Sequence, residues 1–137
     1  MQLPQLTGPC QLTDGGACAT SPNYPRNYDI NQQCIISNVP ASQLEVIHFD
    51  VQPDDYSYDA DGKDGGSCDF DYLKVDGVRY CGTSGPAGVV AESGIILWVS
   101  NNGQIGPLPR ISTGWKARAL PAFPARSAPR LTCAGRT

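Results

Sequence analysis

The most reactive feature of this 137-residue chain is a concentration of carboxylates. Between positions 50 and 71 stand eight aspartates (50, 54, 55, 59, 61, 64, 69 and 71) against one Lys63, a local charge of −7. Such a block repels itself unless it is solvated or holds cations. In "DADGKDGG" (59–66) the aspartates alternate with other residues and glycines follow, a pattern that lets several oxygens converge on a hard cation. The helix–loop–helix calcium loop does not fit. With Asp59 and Asp61 at its first and third positions, Lys63 falls at the fifth and Asp71, not glutamate, at the thirteenth. Read alone, 59–66 is a solvated acidic loop. Asp71 differs, because it sits in "CDFDYLKV" (68–75), which reads as a strand. There Asp69 and Asp71 share a face, opposite Phe70. A carboxylate at that place suits a salt bridge and a metal ligand equally.

Other chemistries find less support. Ser84 in "CGTSGPAG" does not complete the G-x-S-x-G pattern of a serine nucleophile. The one histidine, His48, lies inside a strand with no orienting group near it in sequence, and is read as structural. Paired carboxylates for glycoside hydrolysis could be drawn from the acidic block, but none stands apart from its neighbours. Carbohydrate binding has only Tyr56, Tyr58 and Trp98 as stacking surfaces, and Trp98 is read as core. Nucleic-acid binding needs a basic face. The net charge here is −3, and residues 1–120 carry −6, because 121–137 add three arginines and no acid.

Six cysteines, at 10, 18, 34, 68, 81 and 133, point to an oxidising, extracellular setting. None forms C-x-x-C, so a structural zinc site is disfavoured. Disulfides are expected, and six cysteines allow about 15 pairings among which spacing does not choose. "MQLPQLTGP" has neither the basic start nor the apolar run of a signal peptide. No run of about 18 apolar residues is present to span a membrane.

The elements that must position these groups read as strands. Short runs rich in Val, Ile, Tyr and Phe recur between Gly, Pro, Asn and Asp clusters, which predicts an all-β sandwich or barrel. Strands are expected at 34–39, at 43–51 with Ile47, Phe49 and Val51 on one face, at 68–75, after an Asp-Gly turn at 76–77, at 93–100, and at 113–120 with Trp115, Ala117 and Ala119 on one face. "SPNYPRNY" (21–28) is extended and turn-rich. Residues 1–9 read as an arm, 10–120 as the domain, and 121–137 as a Pro/Ala/Arg-rich tail tied back by Cys133.

In order along the chain, "TSPNYPRNYDINQQC" (20–34), "CDFDYL" (68–73), "YCG" (80–82), "ILWVSNN" (96–102) and "GWKARA" (114–119) resemble the motifs of a CUB domain. The resemblance covers about residues 10–120. It implies a two-sheet antiparallel β-sandwich, close to a jelly roll, and the disulfides Cys10–Cys34 and Cys68–Cys81. Cys18 and Cys133 are extra to the family pattern. They are left to each other, pinning the tail to the domain, or Cys133 is left to another chain.

The resemblance also implies a Ca²⁺ site at one end of the sandwich. Its ligand positions fall on Asp55, six residues past Phe49, on Asp71, and on Asn102 after the late apolar strand. Tyr28 occupies the place of a tyrosine that supports these acids. Asp54, Asp59, Asp61 and Asp64 are possible additional acids. The partner so implied is a protein offering an exposed lysine or arginine to a calcium-organised acidic patch. The alternative is a structural subunit of an extracellular assembly, with arm and tail reaching neighbouring subunits. Neither reading is catalytic.

Overall fold

The computed structural model describes residues 4–52, 68, 71–100 and 113–120. Its strands are β1 (Gln5–Thr7), β2 (Gln11–Thr13), β3 (Cys18–Thr20), β4 (Gln32–Ser37), β5 (Leu44–Asp50), β6 (Tyr72–Val75), β7 (Val78–Tyr80), β8 (Ile96–Ser100) and β9 (Gly114–Ala119). They form a five-stranded sheet, β1-β4-β8-β6-β7, and a four-stranded sheet, β2-β3-β9-β5. Every neighbouring pair is antiparallel. The described residues contain one short 3₁₀ turn, Asp14–Gly16, and no α-helix.

Alternation explains why these segments pair as they do. Cys34 and Ile36 of β4, Leu73 and Val75 of β6, Ile96 and Trp98 of β8, and Trp115 and Ala117 of β9 are all buried. A strand turns alternate side chains to opposite faces, so each run supplies one wall of a shared core. Trp98 of the first sheet and Trp115 of the second meet across that core at 6.1 Å between ring centroids. Burying each indole contributes roughly 5 kcal/mol of gross hydrophobic stabilisation. Among the described residues neither indole N–H has a hydrogen-bond acceptor. That costs about 1–3 kcal/mol each, less than the burial returns.

The Asp-Gly turn forms as expected. Val75 pairs with Val78, and Asp76 and Gly77 between them both have positive φ (50° and 88°). This is the left-handed pair that a tight two-residue hairpin needs. Trp115 and Ala117 are buried on one face of β9, with Ala119 packed against the core.

Three expectations are corrected. Ile47 does not share a face with Phe49 and Val51; it is 36% exposed while they are buried. The pairing of β5 with β9 shifts between Val46 and His48, so Ile47 is the extra residue of a bulge. One inserted residue reverses the inward phase. Leu44 and Val46 therefore face the core before the bulge, and Phe49 and Val51 after it. Next, Cys68 is not part of a continuous strand. Its φ is +51°, and the strand expected over 68–75 is β6, Tyr72–Val75. Finally, Gln5–Thr7, read as part of an arm, pair with Ser37–Ile35 as the edge of the first sheet.

The disulfides Cys10–Cys34 and Cys68–Cys81 are both formed. Cys18, on β3, is disulfide-bonded too. Its expected partner Cys133 lies outside the described residues, as does the whole tail 121–137.

Candidate functional site

One end of the sandwich collects the terminus of β5, the start of β6, the terminus of β8 and the start of β9. Segment 21–31 runs to the same end, held by Ser21 to Trp115 and by Asp29 to Ser100. Gln52 and Asp71, near the two ends of the acidic stretch in sequence, both lie here.

Asp71 is the buried charge of this end, with 3% of its surface exposed. Burying a carboxylate is costly unless hydrogen bonds replace its water. The Tyr28 hydroxyl donates to Asp71 Oδ2 at 2.7 Å, and accepts the Gln52 N–H at 3.0 Å. A single phenol oxygen thus ties Gln52, near the start of the acidic stretch, to Asp71 at its end. Two further links close the same base. Val51 and Gly82 exchange both backbone hydrogen bonds, at 2.9 and 2.7 Å. Beside Gly82, Cys81 is bonded to Cys68. Tyr28 itself is set by packing, its ring edge-on to Trp98 at 4.8 Å and 78°.

Ser100 and Ser21 brace this end. The buried Ser100 Oγ donates to Asp29 C=O at 2.7 Å and accepts the Gln32 N–H at 3.1 Å. The fully buried Ser21 Oγ accepts the Trp115 N–H at 3.0 Å. Gly114 has φ +96°, and a Cβ there would run into Ser21 Oγ. Close approach at this point therefore requires glycine.

His48 is held outside this centre. Its Nε2 lies 2.7 Å from Thr113 Oγ1, whose hydroxyl donates to Asp50 Oδ2 at 3.3 Å. The trio fastens the start of β9 to β5. The Tyr24 ring stands 5.6 Å from the imidazole, and burial raises the Tyr24 phenol pKa. Cations of the second sheet are paired as well: Lys116 Nζ with Asp14 at 3.6 Å, and Arg118 Nε with Glu45 at 2.7 Å.

Of the expected site residues, Tyr28 and Asp71 are brought into direct contact. Asp54, Asp55, Asp59, Asp61, Asp64 and Asn102 lie outside the described residues, as do Tyr56 and Tyr58. Trp98 is fully buried and offers no stacking surface. Among the described residues no group of three or more His, Cys, Asp or Glu side chains gathers as a metal cluster. The donor chemistry at Asp71 nevertheless fits a hard cation: a carboxylate oriented by a hydrogen-bonding neighbour. Sequence reasoning missed Gln52, Ser21 and Ser100. Gln52 acts through its backbone and left no signal. Ser100 did leave one, because it continues the inward phase of Ile96 and Trp98 and is therefore a polar group at a buried position.

No protein-family model matches the chain. Over 106 residues it is 29% identical to cubilin of Sus scrofa, covering 70% of this chain and 3% of that protein. It is 30% identical over 101 residues to neuropilin and tolloid-like protein 2 of Homo sapiens, covering 64% and 17%. Against neuropilin and tolloid-like protein 1 of Mus musculus it is 34% identical over 95 residues, covering 61% and 16%. The chain thus spans at most 17% of the length of these relatives.

Proposed function

The chain carries a CUB-like domain, and from that premise we propose that it is a non-catalytic extracellular binding module whose acidic end receives a basic side chain of a partner protein. The disulfides fit an extracellular location. No helix among the described residues is long and apolar enough to cross a membrane.

The observation that carries the proposal is the Tyr28 hydroxyl, which joins Gln52 and the buried Asp71 at the mouth of the acidic stretch. A carboxylate fixed in this way loses little further freedom when it meets a ligand, so more of the contact energy reaches binding. In this reading Asp71, Asp55 and Asn102 hold Ca²⁺, with Asp54, Asp59, Asp61 and Asp64 as further acids. The cation, when bound, supplies the charge that fixes these oxygens. Outward carboxylate oxygens then meet an ammonium or guanidinium through charge-assisted hydrogen bonds. One such contact is weak, and repetition along a longer or oligomeric protein raises the avidity.

Calcium titration by calorimetry tests the proposal, on wild type and on Asp71→Ala, alongside melting with and without chelator. One ion bound by wild type, none by Asp71→Ala, and a chelator-sensitive melting temperature are expected. No binding by wild type up to millimolar calcium would sink the calcium part of the reading. The acidic stretch would then be a solvated insertion.

A further inference from the structure

The turn at 29–32 carries a residue that neither the fold nor the carboxylate site uses. Ile30 is 54% exposed, the highest exposure of any large apolar side chain among the described residues. A single exposed isoleucine is ordinarily unremarked. Here the backbone is held at Asp29 before it and at Gln32 after it. The Asp29 N–H donates to Gln32 Oε1 at 3.1 Å. Asp29 C=O and the Gln32 N–H are both taken by the buried Ser100 hydroxyl, and Asn31 has φ +58°. Ile30 is therefore displayed outward by a turn pinned at both ends.

Its position matters as much as its exposure. Ile30 is two residues past Tyr28, whose hydroxyl is on Asp71. Ser100, which clamps the turn, directly follows Val99, and Val99 pairs with Tyr72, the residue after Asp71. An exposed isoleucine on a pinned turn and a buried, hydrogen-bonded carboxylate thus lie at the same end of one sheet.

We infer that Ile30 determines specificity at this end. The partner segment offers a basic residue together with an aliphatic or aromatic residue close to it in sequence, the base going to the acidic site and the apolar side chain packing on Ile30. This rests on the reading of the acidic end as a receptor for a basic side chain. A preorganised apolar contact beside a charged one is how small interfaces gain selectivity without large area.

Two displayed peptide libraries test the inference, one with a fixed central lysine and one with a fixed central glutamine, flanking positions random, panned in calcium buffer. Wild type is expected to retain the lysine library preferentially, with aliphatic or aromatic residues enriched within about three positions of the lysine. Ile30→Ser keeps the lysine preference, loses the apolar enrichment, and binds the best wild-type peptide about fivefold more weakly, the order expected for burying half an isoleucine. Because Ile30 is exposed, the variant melts within about 2 °C of wild type. Lysine preference with no apolar enrichment, or with enrichment that survives in Ile30→Ser, overturns the role of Ile30 alone. Equal retention of both libraries by wild type overturns the basic-side-chain reading, and the paired motif with it.

Discussion

Two aspartates flank the same four-residue strand, β6, and their surroundings are opposite. Asp71, before the strand, is 3% exposed and receives the hydroxyl of Tyr28, a residue 43 positions away. Asp76, after it, is exposed and receives two nearby backbone N–H groups, Glu92 at 2.6 Å and Ser93 at 3.1 Å. The Ser93 hydroxyl, then the Glu92 N–H, hold the Asp76 carboxyl below the usual carboxylate range. Asp76 is a fastener: its two oxygens pin the hairpin to the loop before β8, in water, where a hydrogen bond returns little. Asp71 is positioned by a side chain that also grips the other end of the acidic stretch. One aspartate closes a turn, and the other is held in place at the mouth of a charged segment. What differs is the source of the donors and the access of water.

Four substitutions break or sharpen that contrast, from the largest effect to the smallest. Opening Cys68–Cys81 by changing both to serine removes a link closing 13 residues of separation at the Asp71 end. It should cost about 3 kcal/mol in urea unfolding. Gly114→Ala forces a Cβ into Ser21 Oγ at a φ of +96°. A loss of about 2–3 kcal/mol is expected, and Ser21→Gly in the same chain should recover part of it. Tyr28→Phe leaves the buried Asp71 without its hydroxyl donor and the Gln52 N–H without its acceptor. It should lower stability by about 2 kcal/mol and weaken the proposed calcium binding without abolishing it. Asp76→Asn should do least, and its effect should depend on pH. Since the folded pKa lies below the ordinary 3.8, the carboxylate's contribution is complete above that value and is lost as pH falls through the lowered pKa. The melting difference between wild type and Asp76→Asn should therefore be constant at neutral pH and close only in strong acid. A Tyr28→Phe effect no larger than that of Asp76→Asn would erase the distinction between the two carboxylates.

Much of the fold was legible because its signals are local. Asp76-Gly77 announces a hairpin, "ILWVS" is an apolar run ended by turn residues, and "GWKARA" alternates. The bulge at Ile47 was not legible, since apolar residues at 44, 46, 47, 49 and 51 fit either phase and only pairing with β9 decides between them. The break at Cys68 escaped for a similar reason. Alternation was extended through "CDFDY", whereas the disulfide and the positive φ redirect the chain there. At the site, Tyr28 and Asp71 were placed together by resemblance and do meet. The Gln52 contact arises from a backbone group, and no residue type encodes it. The bracing of Ser100 was foreshadowed only by its phase.

The aromatic packing behind Asp71 has an optical consequence. Tyr28 leans edge-on against Trp98, and Trp98 lies within 6.1 Å of Trp115, the two tryptophans of the chain. Both indoles are shut away from water, so their emission should be blue-shifted, and their close, tilted transition moments should couple in the near-ultraviolet circular dichroism. Because the phenol that touches this pair also touches the carboxylate, an event at Asp71 is one hydroxyl group away from the chromophores. The domain therefore carries its own unlabelled signal for a change at Asp71.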